Sequence, residues 1–184
     1  MPIFLLVTGA MLYLNTMKDI SIKLENMYGS VFDASCDKTG DRQTIQFYIN
    51  SLNNEYALDS MNIQSEALNL LCDIMLNPKL NNGYFDETYV AQEKDALKEL
   101  IESRINDKAF YANTRCIEEM YKEEPYGLYK FGYVEDLKNI NAENLYRQYL
   151  HVLETAEIHI YFSGTFDSDK VYELLKSRFN NINR

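Results

Sequence analysis

The chain has no tryptophan, and only three prolines, three cysteines and two histidines among its 184 residues. Each scarcity narrows the chemistry. A catalytic metal site generally needs three protein ligands from His, Asp, Glu or Cys plus an open position. His151 and His159 fall in different predicted elements, and no HxxxH, HxxEH or HExxH string occurs. Cys36, Cys72 and Cys116 are odd in number, widely spaced and in no CxxC pairing. They read as reduced core or strand residues of a cytoplasmic protein, not as a disulfide framework. No GxSxG elbow is present, and nothing in the sequence brings a Ser or Cys nucleophile beside either histidine.

Basic residues are also in short supply. Eighteen Lys and Arg stand against 28 Asp and Glu, for a formal charge of −10, and no basic run or basic helical face occurs. Nucleic acid and anionic membrane are therefore excluded as partners. The opening PIFLLVTGAMLYL is apolar but interrupted by Thr8 and Gly9, is too short to span a bilayer, and lacks a basic leader and a small-residue cleavage site. Termini normally lie at the surface. An apolar start is thus expected to follow residues of a longer parent protein, or to be covered by a partner.

What is present suits one soluble domain with a sizeable core: 46% apolar and 25% charged residues, with no repeats, linkers or low-complexity segments. Helices are predicted over 3–14 and 17–27. Two strands follow, Val31 to Lys38 and Arg42 to Leu52, joined tightly through Thr39, Gly40 and Asp41. Their alternation puts Phe32, Ala34, Cys36, Ile45, Phe47 and Ile49 on buried faces. Residues 60–76 form an amphipathic helix with Ile63, Ala67, Leu70, Leu71 and Ile74 inward, ended by Asn77 and Pro78, and a loop runs to Asp86. A helix lies within Phe85 to Asp107, with Val90, Leu97, Leu100, Ile101 and Ile105 at helical spacing. The next begins near Asp107 and carries Phe110, Thr114, Ile117 and Tyr121. A Gly- and Tyr-rich loop, helices at 135–139 and 142–154, a strand at 157–162 and a helix at 168–179 complete the chain. Ordered this way, the elements predict an α+β fold: antiparallel sheet covered on one side by helices, with its first strands missing.

Glu93 is the candidate with the most to explain. At ~100° per residue it falls within the arc of Val90, Leu97 and Leu100, where a carboxylate must find a partner or a cation. Arg104, at nearly the same angle, is the plain structural partner. His151 reads as a packing or rim residue. Ser163 and Gly164, before a helix, read as a turn with Asp167 or Ser168 as the cap.

With these elements in place the chain resembles the insulinase (pitrilysin-type) zinc peptidase family, in its amino-terminal domain. The likeness runs in order through LENMYGS at 24–30, DKTGDRQTIQFYI at 37–49, EALNLLCDIMLNP at 66–78, FDETYVAQEKDALKELI at 85–101, EPYG at 124–127, FGYVEDLKNINAENLYRQY at 131–149 and IHIYFSGTF at 158–166. The resemblance implies an inverted HxxEH motif shortly before a Gly-Thr pair, and a third ligand Glu seven residues after a helix Glu. Here Gly9 and Ala10 stand at that pair, Ile3 falls at the catalytic Glu, Phe4 at the second His and Leu100 at the third ligand, while Glu93 matches the supporting helix Glu. The resemblance thus implies a zinc peptidase homologue without zinc, without cofactor and without catalytic residues.

The likeness is greatest to degenerate bacterial members, including the type associated with elongation factor P modification, that accompany an active member. It implies residues 1–184 as one domain of a longer two-domain chain. It further implies a dimer-like pairing with an active processing peptidase or with the missing second domain, and binding of substrate peptide. The competing reading is a zinc endopeptidase using His151, His159, Glu157 or Glu154.

Overall fold

The computed structural model describes residues 17–180 and residue 182. The predicted helix over 3–14, and with it Ile3 and Phe4, lies outside the described residues. Seven α-helices and one two-stranded antiparallel sheet make up the rest, the α+β class that the sequence predicts.

Helix α1, Met17–Asn26, leads into a turn in which Tyr28 and Gly29 both take positive φ, 59° and 71°. That conformation is unfavourable for tyrosine. Its hydroxyl accepts the Leu58 N–H at 2.9 Å, which holds the turn against the chain ahead. Strands β1, Val31–Thr39, and β2, Arg42–Asn50, pair from Val31↔Asn50 to Thr39↔Arg42. Gly40, at the first central position of the two-residue loop, has φ 61°, where such a hairpin favours glycine. The hairpin's inner face carries Phe32, Phe47 and Ile49 against the core, while Val31 and Tyr48 face out.

Lys38, near the hairpin tip, reaches far along the chain. Its ammonium donates to the carbonyls of Pro125, Tyr126 and Leu128 at 2.8, 2.8 and 2.7 Å. Beside it, Gln43 donates to the Lys130 carbonyl at 3.0 Å and to Cys36 Sγ at 3.2 Å. Lys130 of the loop in turn pairs with Asp37 of β1 at 3.2 Å, so the Gly- and Tyr-rich loop is strapped to the sheet by two cations and one amide.

Helix α2, Ile63–Leu76, starts at Asn62, whose side chain accepts the Ser65 N–H, and buries Ile63, Ala67, Leu70 and Ile74. Leu71 is only half-buried, while Leu68 and Cys72 are buried instead. The loop that follows contains a tight turn at Asn81–Tyr84, with Asn82 and Gly83 at φ 54° and 86°. Asn-Gly is the pair that a turn with two positive φ values demands. The turn delivers Phe85 into the core, edge-on to Tyr146 at 5.4 Å and to Tyr149 at 5.8 Å.

Helix α3 is Glu87–Ser103, continued by a 3₁₀ turn at Arg104–Asn106, and α4 is Lys108–Met120. Short α5, Val134–Leu137, precedes α6, Ala142–Thr155, whose Asn141 and Asn144 cap one another, and α7, Ser168–Phe179, closes the chain. The core joins α1, α2, α3, α6 and the inner face of the hairpin, with Ile63, Phe85 and Leu145 fully buried. Helix α7 buries no residue and is tied on by Arg178, which donates to Asp73 Oδ1 at 3.1 Å and Asn69 Oδ1 at 2.7 Å.

Two expectations are corrected here. Residues 157–162 form no strand: of the expected inward face only Ile158 is half-buried, Ile160 and Phe162 are exposed like Tyr161, and among the described residues no neighbouring strand meets the segment. Cys116 is exposed and not a core residue, unlike Cys36 and Cys72.

Candidate functional site

The site that the sequence singles out lies along α3. Asp86 caps the helix by accepting the Thr88 N–H at 2.9 Å, and the Asn81 amide donates to its other oxygen at 2.9 Å. Those donors, the Asn81 amide first, hold the Asp86 carboxyl below its ordinary range. Val90, Leu97 and Ile101 fill the buried stripe of the helix. On one flank Lys94 donates to the Ile140 carbonyl at 2.6 Å, fastening α3 to the start of α6.

Glu93 and Leu100 share the other flank. Glu93 is half-buried, and burial raises its pKa above the usual carboxylate value. Leu100 is 42% exposed, so the expectation of an inward Leu100 is corrected. Helix geometry accounts for it: Leu100 lies ~80° from Val90, at the margin of the buried arc, and the described residues do not cover that margin. Ile105 is likewise exposed, because the helix has tightened into a 3₁₀ turn by Arg104 and the 3.6-residue period no longer holds.

The expected Glu93–Arg104 pair does not form. Arg104 donates instead to Glu118 Oε1 of α4 at 2.9 Å, and its guanidinium lies 4.7 Å from the Tyr129 ring centre and 5.5 Å from that of Tyr111. Glu118 also accepts a hydrogen bond from Arg115, which bonds Glu119 as well. Glu118 is the one α4 side chain that is buried, whereas Phe110, expected inward, is 44% exposed. Thr114, Ile117 and Tyr121 of the expected line are half-buried, and Tyr111 and Glu118 join them, because Arg104 of the 3₁₀ turn neutralises a carboxylate there. Two arginines and a glutamate spaced to meet across adjacent helices were the available signal.

The histidines do not converge. His151 is exposed on α6, and His159 pairs with its near neighbour Glu157 at 3.1 Å and stacks on Tyr161 at 6.3 Å. Among the described residues no group of three or more His, Cys, Asp or Glu side chains is arranged to hold a metal ion. Leu100, which the resemblance puts at a third-ligand position, offers a hydrocarbon with no lone pair and does not fit zinc.

Because Glu93 is charged at the expense of hydration, its substitution has a defined pH signature. At low pH the carboxyl is protonated in both folded and unfolded chains. As pH rises, the unfolded carboxyl ionises first, so stability falls between the unfolded pKa and the raised folded one. Glu93→Gln is expected to raise the thermal midpoint slightly at pH 7 and to leave it unchanged below pH ~4. Melting curves of both proteins at the two pH values check this.

Beyond α3 a cleft of about 360 Å³ opens between the 3₁₀ turn, α4 and α5. Tyr111, Tyr133, Ile105 and Val134 wall it, and Glu102 and Glu135 also line it.

Set beside known proteins, the chain is 34% identical over 161 residues to a protein of Bacillus subtilis (strain 168) named "Probable inactive metalloprotease YmfF", matching 88% of this chain and 38% of that protein. It superposes on a crystal structure of a conserved protein from Enterococcus faecalis V583 with a TM-score of 0.73, at 26% sequence identity, over 81% of this chain and 36% of the other. No family model matches. The chain is thus an α+β homologue of a protein named a probable inactive metalloprotease, and it spans little more than a third of the length of either relative. No helix among the described residues is long and apolar enough to cross a membrane.

Proposed function

We propose that this chain is an amino-terminal insulinase-type domain that handles peptide without hydrolysing it, as the partner of an active zinc peptidase subunit or of a second domain. The observation that carries the reading is the 34% identity to a protein named a probable inactive metalloprotease, joined to Leu100 at the position that the resemblance assigns to the third ligand. Ile3, Phe4 and Leu100, at the positions that the resemblance assigns to the base, the second histidine and the third ligand, are hydrocarbon side chains with no lone pair for a cation and no group to activate water. The outer edges of the hairpin and the irregular segment 157–163 offer backbone groups to which a peptide can add as a strand. The setting is a bacterial cytoplasm, with the active partner supplying zinc.

The experiment mixes this chain with an active member of the peptidase family at micromolar concentration on a sizing column. A co-eluting complex, zinc below about a tenth of an equivalent in this chain, and no chelator-sensitive cleavage of unstructured peptides are the expected results. Stoichiometric zinc with chelator-sensitive cleavage would overturn the reading in favour of an unrecognised ligand set.

A further inference from the structure

The cleft beside Arg104 has a charge that does not follow from its most conspicuous residue. Arg104 looks like an anion site. Its guanidinium, however, is only 15% exposed, is bonded to the buried Glu118 at 2.9 Å and lies over the Tyr129 ring at 4.7 Å. That positive charge is spent within the fold. The carboxylates of Glu102 and Glu135 are exposed and have no hydrogen bond or ion pair to any described residue. They belong to different helices, α3 and α5, and bound the same cleft as the half-buried rings of Tyr111 and Tyr133. Ile105 and Val134 supply aliphatic wall.

From this arrangement we infer that the cleft binds a lysine or arginine side chain of a peptide, its stem along Ile105 and Val134 and its charged head between Glu102 and Glu135. Two independent features select that chemistry. Two unpaired carboxylates favour a cation, and an aliphatic wall favours a cation on a hydrocarbon stem over a bare metal ion, which would ask for more oxygen ligands than two. A volume of about 360 Å³ admits one long side chain and not a folded domain. The chain's formal charge of −10 draws basic peptides toward it from a distance, and the cleft gives that attraction an address. The inference rests on the peptide-binding reading above and adds the side chain that such a peptide must present.

The test titrates the full chain, by NMR, with three unstructured Gly/Ser peptides that differ only at a central lysine, norleucine or glutamate. The lysine peptide is expected to bind about tenfold tighter than the norleucine peptide, with the largest shifts at Tyr111 and Tyr133. The double variant Glu102→Gln/Glu135→Gln should abolish that preference. A control with the same change of charge elsewhere, Glu25→Gln/Glu173→Gln, should keep it. If norleucine or glutamate binds as well as lysine, or if both double variants weaken lysine binding equally, the inference fails while the peptide-binding reading stands. If none of the three peptides binds at millimolar concentration, both fail.

Discussion

Replacing Glu118 with alanine is expected to destabilise the protein by about 3–5 kcal/mol, the range for removing one partner of a buried ion pair. The carboxylate is 6% exposed and accepts hydrogen bonds from two arginines, so truncation strands Arg104 between Tyr129 and Tyr111 with no counter-charge. The loss comes from the arginine left behind more than from the attraction removed. For that reason Arg104→Met/Glu118→Leu, which removes both charges and refills the space, should recover most of the stability. Urea denaturation of wild type, the single variant and the double variant measures both effects as midpoint shifts at constant slope. A Glu118→Ala midpoint equal to that of wild type would show that the pair is hydrated and not structural.

Alanine at Gly127 should be comparably damaging for a different reason. Gly127 is buried in the 3₁₀ turn Pro125–Gly127, and an added Cβ would stand 2.2 Å from the Tyr121 carbonyl oxygen and 2.7 Å from its carbon. The obstruction is backbone, so no rotamer change relieves it. An overpacked site usually costs about 1–3 kcal/mol, and a backbone clash belongs at or above the top of that range. The displaced turn carries the carbonyls that Lys38 holds and the Tyr126 ring that meets Tyr121 edge-on at 4.8 Å. A lowered melting midpoint together with altered tyrosine near-ultraviolet circular dichroism would register both consequences.

The parts of this fold that were legible in the sequence are those where one residue's neighbours decide its place. Alternation in β1 and β2 put Phe32, Phe47 and Ile49 on the inner face, and the apolar period of α2 identified Ile63, Ala67, Leu70 and Ile74. Asp167 caps α7 by accepting the Asp169 and Lys170 N–H groups, as its position before the helix suggests. Asn82-Gly83 carried a readable turn signal that is easily passed over inside a polar loop.

The rest depends on partners distant in sequence. Nothing local to α4 says that Glu118 goes inward and Phe110 outward; Arg104 decides it from another helix. The same holds for the 157–162 segment, where alternation describes a strand but only a neighbour can make one. At the candidate site, the shared flank of Glu93 and Leu100 followed from helix geometry. Whether that flank is covered is a property of what packs there, and the half-exposure of Leu100 is its outcome. The cleft at Glu102 and Glu135 belongs to this second kind, since the wall from Tyr133 to Glu135 lies more than twenty residues beyond the wall that ends at Tyr111.

The Lys38 strap bears on how the chain reaches this state. Its three carbonyl partners lie 87 to 90 residues away, so the clamp closes one of the longest loops in the molecule. Closing a loop of that length carries an entropic penalty that grows with its logarithm, and little is gained until the Pro125–Leu128 turn has itself formed. The hairpin can assemble locally first, and the strap is a late event on the folding path. Loss of the Lys38 ammonium should therefore accelerate unfolding while leaving the folding rate nearly unchanged, which makes this one side chain a determinant of how long the folded protein lasts more than of how fast it forms.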